Sequence, residues 1–141
     1  MEPEVRTYLE GISPAVRRRD AATMTELMGR VTGEAPHMWG TIVGFGSFHY
    51  RYESGREGDA PGAAFAARKA ATTVYVMDGV GAHADRLAVL GPHTTGVGCI
   101  YLKDLAAVDL GTLESIVAAS YATLTAGTFT QRAGDSGSPS R

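Results

Sequence analysis

Apolar positions along the chain switch between helical and strand periods, and the switches divide it into elements. Val5, Tyr8, Leu9 and Ile12 follow helical spacing and predict a short first helix ending near Gly11. Ser13-Pro14 reads as an N-cap followed by proline at the first helical position. Met24, Leu27, Met28 and Val31 then continue one apolar face to Gly33, so a second helix is expected over 14–32. At residues 42–45 the period shortens to a strand, with Gly44 and Gly46 flanking a bend. Alternation from Ser47 to Glu53 puts Phe48, Tyr50 and Tyr52 on one face and Ser47, His49, Arg51 and Glu53 on the other. Residues 54–62 read as loop by composition. Two further extended pieces are expected at 64–68 and 71–77, ending at Asp78-Gly79. A short helix over 83–90 is closed by Gly91-Pro92, and a glycine-rich loop over 93–98 leads into a fifth strand at 99–102. Asp109 or Thr112 caps a last helix whose face is Leu113, Ile116, Val117, Ser120, Tyr121 and Leu124.

Strands in the middle and helices at both ends predict an α+β domain. The strand connections are too short for helical crossovers, so the sheet of about five strands should be mostly antiparallel. The N- and C-terminal helices should pack on one face, leaving the other to solvent or a ligand. One domain is expected over 1–130 and a disordered tail over 131–141, where the composition offers nothing to bury.

Composition narrows the class. Hydrophobic residues at 44% and charged residues at 20% suit a soluble globular chain. A net charge of -2 provides no general attraction to nucleic acid or an anionic membrane. No apolar run approaches the ~20 residues of a membrane span. The single Cys99 cannot form an internal disulfide, and the acidic start does not suit a signal peptide, so a cytoplasmic setting is expected.

Candidate chemistry centres on the polar strand face. His49 beside Arg51 can bind a carboxylate or phosphate, or serve acid–base chemistry near neutral pH. The alternative is an exposed face on which His49 is solvated and the charges pair among themselves. Phe48, Tyr50 and Tyr52 are expected in the core beneath the helices. Arg68 and Lys69 would point to opposite faces if extended, and Arg68 is the one assigned to the His49 side. The four histidines have no helical zinc spacing and there is no Cys-x-x-Cys, so no metal site is assigned. Cys99 reads as a buried, inert residue. The 91–98 loop lacks the P-loop pattern and precedes a strand. Arg17-Arg18-Arg19 fan around their helix and read as a solvated face.

The order Met38-Trp39-Gly40, Gly44-Phe45-Gly46, His49-Tyr50-Arg51-Tyr52 and Phe65-x-x-Arg68-Lys69 resembles YdhG-like bacterial proteins. Gly96-x-Gly98-Cys99-Ile100-Tyr101-Leu102, then Leu105 and Val108-Asp109-Leu110, extend the resemblance over roughly residues 3–125. It implies a compact α+β fold, in a family mostly of unknown function with one branch described as a frataxin-like intracellular iron chaperone. Similar sequences carry lysines where this chain has Pro92 and Val97, leaving His93 and Lys103 nearby. Iron handling would call for clustered carboxylates. Here the acids are scattered through Glu53, Glu57, Asp59, Asp78, Asp85, Asp104, Asp109 and Glu114.

The leading expectation is a binding protein for a small molecule or anion, without a complete catalytic constellation and without a cofactor. Trp39, His49, Arg51, Arg68 and Tyr101 are its contact residues. The alternatives are an iron-binding protein, an enzyme with His49 as general base oriented by Arg51 or Tyr101, and a homodimer burying the open sheet face.

Overall fold

A computed structural model describes residues 1–131. Two helices, α1 (Pro3–Glu10) and α2 (Ala15–Thr32), lead into strands β1 (Pro36–Trp39), β2 (Ile42–Phe45), β3 (Phe48–Arg51), β4 (Glu57–Ala60), β5 (Ala63–Ala67) and β6 (Thr72–Tyr75). A 3₁₀ turn (Val80–His83) and α3 (Ala84–Leu87) follow, then β7 (Thr94–Thr95), β8 (Cys99–Leu102), a second 3₁₀ turn (Leu105–Ala107) and α4 (Leu110–Leu124). The class is α+β, with an antiparallel six-stranded sheet in the order β1-β2-β5-β6-β8-β7 and a two-stranded ribbon, β3-β4. The strands exceed the five expected. Pro36 opens an edge strand, and β4 lies within the stretch read as loop. The expected tail falls, apart from Gln131, outside the described residues.

Two side-chain rows explain the layering. Val43, Phe65, Val74 and Ile100 are successive register partners across β2, β5, β6 and β8, and each is fully buried. They share one core with Val5 of α1, Met24 and Met28 of α2, and Leu113 and Ile116 of α4. Between them, Ala66, Thr73, Tyr101 and Thr94 form the opposite row, on the face without helices. Asp109 caps α4 by accepting the Thr112 N–H, as its spacing suggests. Helix α2 differs from expectation: it starts at Ala15 with Pro14 in the cap position and no side-chain cap.

The arginine run is not a solvated face. Arg17 is 3% exposed. Its guanidinium donates to Thr72 Oγ1 at 2.9 Å, to the Leu102 carbonyl at 3.5 Å and to the Lys103 carbonyl, with Asp20 Oδ2 at 3.5 Å. Fully buried Asp20 accepts the Leu105 N–H at 3.1 Å and both Nε and Nη2 of Arg19. A charge is tolerated in the interior when its polar atoms are paired, and here only Arg17 Nε lacks a partner. Arg17→Ala would leave Asp20 with Arg19 as its remaining cation and would strip Thr72 Oγ1 and the Leu102 and Lys103 carbonyls of their donor. We expect a loss of about 3–5 kcal/mol in urea denaturation, against under ~0.5 kcal/mol for Arg18→Ala.

Candidate functional site

Strand β3 continues β2 and β4 runs into β5, with the same pairing register on both sides of a break at Gly46 and Gly62. Gly46 takes φ +64°, and a Cβ on Gly62 would lie 2.6 Å from Tyr121 Cε1, so the Tyr121 ring of α4 occupies the bend. The ribbon thus departs from the helix-covered sheet. Its aromatic face packs within itself and on Phe129 instead of beneath helices. Phe48 meets Phe129 edge-on at 6.0 Å between centroids, and Tyr50 stacks on Tyr52 at 4.8 Å. The chain after α4 returns along β3, with Phe129 N–H donating to the His49 carbonyl and Arg51 N–H to the Phe129 carbonyl.

The ribbon's polar face is occupied by its own charges. His49 Nδ1 lies 2.9 Å from Asp59 Oδ1 and its Nε2 lies 2.9 Å from Glu57 Oε2. Carboxylates only accept, so this arrangement suits the imidazolium, which donates from both nitrogens. Arg51 also pairs with Glu57, at 3.2 Å. Asp59 and then Glu57 raise the His49 pKa above its ordinary value, while His49 and then Arg51 lower that of Glu57. No ring nitrogen is left over to receive a substrate proton. Because the folded pKa is raised, this contribution to ribbon stability is complete below the unfolded value of ~6.5 and is lost as pH rises through the folded one. An NMR titration should show His49 titrating above ~6.5, with Asp59→Asn and Glu57→Gln each bringing it down. Ribbon amide exchange should accelerate over the same pH range.

Arg68 and Tyr101 come together elsewhere, at an open groove of about 680 Å³. Its lining includes the cross-strand row of buried Thr73 and exposed Tyr101 and Thr94. Its walls are Ala70 and Ala71 of the β5–β6 turn, Pro92, and Ala107. Arg68, His93 and Lys103 bring positive or protonatable groups, and Asp104 one carboxylate. Arg68 begins a turn closed by its N–H on the Ala71 carbonyl, so it and Lys69 do not alternate as strand residues. Its Nη2 donates to Thr41 Oγ1 at 3.3 Å. His93 Nδ1 lies 2.7 Å from the Gly91 carbonyl, which fixes Nδ1 as the protonated nitrogen. Cys99, two residues back on the same face, raises the Tyr101 pKa. Asp104 is turned to the Ala106 N–H and Arg19, which hold its pKa low.

Of the five residues singled out by sequence, His49 and Arg51 lie on the ribbon and do not line the groove. Trp39 does not line it either and packs over Gly44, where a Cβ would sit 2.5 Å from its Cδ1 and 2.7 Å from Pro61 Cβ. Gly44→Ala should therefore cost about 1–3 kcal/mol by thermal or urea unfolding.

Sequence reasoning missed a buried link. His83 Nε2 donates to Asp78 Oδ2 at 3.0 Å and Ser120 Oγ to Asp78 Oδ1 at 2.7 Å, all three residues being at most 5% exposed. Burial alone would raise the Asp78 pKa, but the His83 and Ser120 hydrogen bonds outweigh it and hold the carboxyl below its ordinary value. The hydroxyl donates to the carboxylate and not to the imidazole, so this is no activated nucleophile. It ties the turn before α3 to α4. Residues 42 apart in sequence gave no signal for it.

Among the described residues no three His, Cys, Asp or Glu side chains are placed to hold one metal ion. Glu57 and Asp59 both approach His49, at opposite ring nitrogens. Among those residues, too, no helix is long and apolar enough to cross a membrane. Compared with known families, curated proteins and solved structures, the chain matches none.

Proposed function

We propose that this is a small-molecule binding protein whose site is the groove between the β5–β6 turn and the end of β8. The observation that carries the reading is the convergence of Arg68, Lys103 and His93 on an apolar-walled groove of about 680 Å³ over the helix-free sheet face. Ligand sites are commonly concavities of ~300–1,000 Å³ with apolar walls and a few placed polar groups. The groove contains no nucleophile–base pair, which supports binding over catalysis. The motif resemblance to YdhG-like domains and a cytoplasmic setting, suggested by the single cysteine, belong to the same reading.

A thermal-shift screen of a metabolite library tests it. A ligand at a hundredfold excess over its Kd adds about 2.7 kcal/mol, enough to move Tm by several degrees. The shift given by a hit should fall sharply in Arg68→Ala and Tyr101→Ala and persist in His49→Ala. A shift that survives both groove substitutions places the site elsewhere.

A further inference from the structure

We infer that the ligand of this groove is an amphipathic organic anion, a carboxylate or phosphate attached to a flat apolar body. This rests on the reading of the groove as a binding site and adds the chemistry of what enters it.

The argument is one of unmatched charge. Among the described residues, neither Arg68, whose one side-chain partner is Thr41 Oγ1, nor Lys103 has a carboxylate within salt-bridge distance, and both line the same groove. The one acid lining the groove, Asp104, accepts from Arg19 and from the Ala106 N–H at its Oδ1. The groove's positive charge is thus left for something that comes from solvent. Donors predominate in the same way. Arg68 and Lys103 can only donate and the Tyr101 hydroxyl can donate as well, so a ligand oxygen suits them better than a ligand N–H.

The remaining lining argues for a body larger than an inorganic ion. Ala70, Ala71, Pro92 and Ala107 offer small apolar walls, and Tyr101, 36% exposed, is part of the same lining. Small walls beside an exposed ring admit a planar group stacked on Tyr101. A bare phosphate would leave most of that surface wet.

Two isosteric probes separate the charge from the shape. Naphthalene-2-carboxylate and its neutral carboxamide would each be titrated into the ¹⁵N-labelled full-length chain, with inorganic phosphate as a third probe. The carboxylate should saturably shift the amides of residues 68–73, 93–94 and 101–104. The carboxamide and phosphate should each bind at least about tenfold more weakly. The Arg68→Ala/Lys103→Ala double variant should weaken the carboxylate far more than the carboxamide, closing most of the gap between them. Equal affinity for carboxylate and carboxamide at these amides would overturn the anion and leave the groove as a site for neutral molecules. Phosphate binding as tightly as the carboxylate would overturn the apolar body. If no probe moves these amides, the groove reading falls along with the inference.

Discussion

The buried pair of Arg17 and Asp20 is the constraint on which the rest of the structure turns. Charged side chains in an interior cost stability unless every polar atom finds a partner. Here the partners are the backbone at the end of β8 and the start of the 3₁₀ turn that follows: the carbonyls of Leu102 and Lys103 and the N–H of Leu105. Thr72 at the start of β6 completes the set. The first turns of α2 therefore serve as a clamp beneath the sheet end. Apolar side chains there would bury comparable area but leave those backbone groups unsatisfied. Because Lys103 and Asp104 lie within the clamped segment, the groove wall on the other face inherits its position from the clamp.

A second constraint decides which polar residues share a surface. The β2–β3 and β4–β5 hairpin keeps one register from the core to its tip, yet bends where Tyr121 fills the space at Gly46 and Gly62. Burial raises the Tyr121 pKa, in keeping with a ring enclosed by the bend. Beyond it the strands no longer face the helices. Their aromatic side finds cover from one another and from Phe129, and their charged side pairs across the ribbon. A straight hairpin would have brought different rows to the helix-covered face.

How much of this was legible follows from the range of each signal. Helical faces such as Met24, Leu27 and Met28, the cap at Asp109 and the strand Ile42–Phe45 are local patterns, and they appear where the spacing put them. Strand β4 was hidden because Glu57, Gly58, Asp59 and Ala60 include no large apolar side chain. Its alternation is one of charge, made for the ribbon and not for a core. Arg17 was hidden for the opposite reason: a cation among cations reads as surface, and its partners are at positions 72, 102 and 103. The groove was half visible. Tyr101 and Arg68 could be picked out, but Thr73, Thr94 and Ala107 join them only through strand pairing and the turn after β8.

Charge balance separates the ribbon, where His49 and Arg51 stood out in the sequence, from the groove we propose as the site. Both places offer a histidine and an arginine near an aromatic ring, so residue types alone do not separate them. On the ribbon, the strand facing His49 and Arg51 carries Asp59 and Glu57 at the paired positions, and the donors are consumed within the hairpin. An incoming anion would have to displace two carboxylates already in place at 2.9 Å from the ring nitrogens. Across the groove, the positions facing Arg68 and Lys103 are threonines, alanines and a tyrosine, and the nearby acid is taken by Arg19. The free energy of an ion pair can be gained only once. A cation that the fold has not already paired is the one with binding energy left for a ligand.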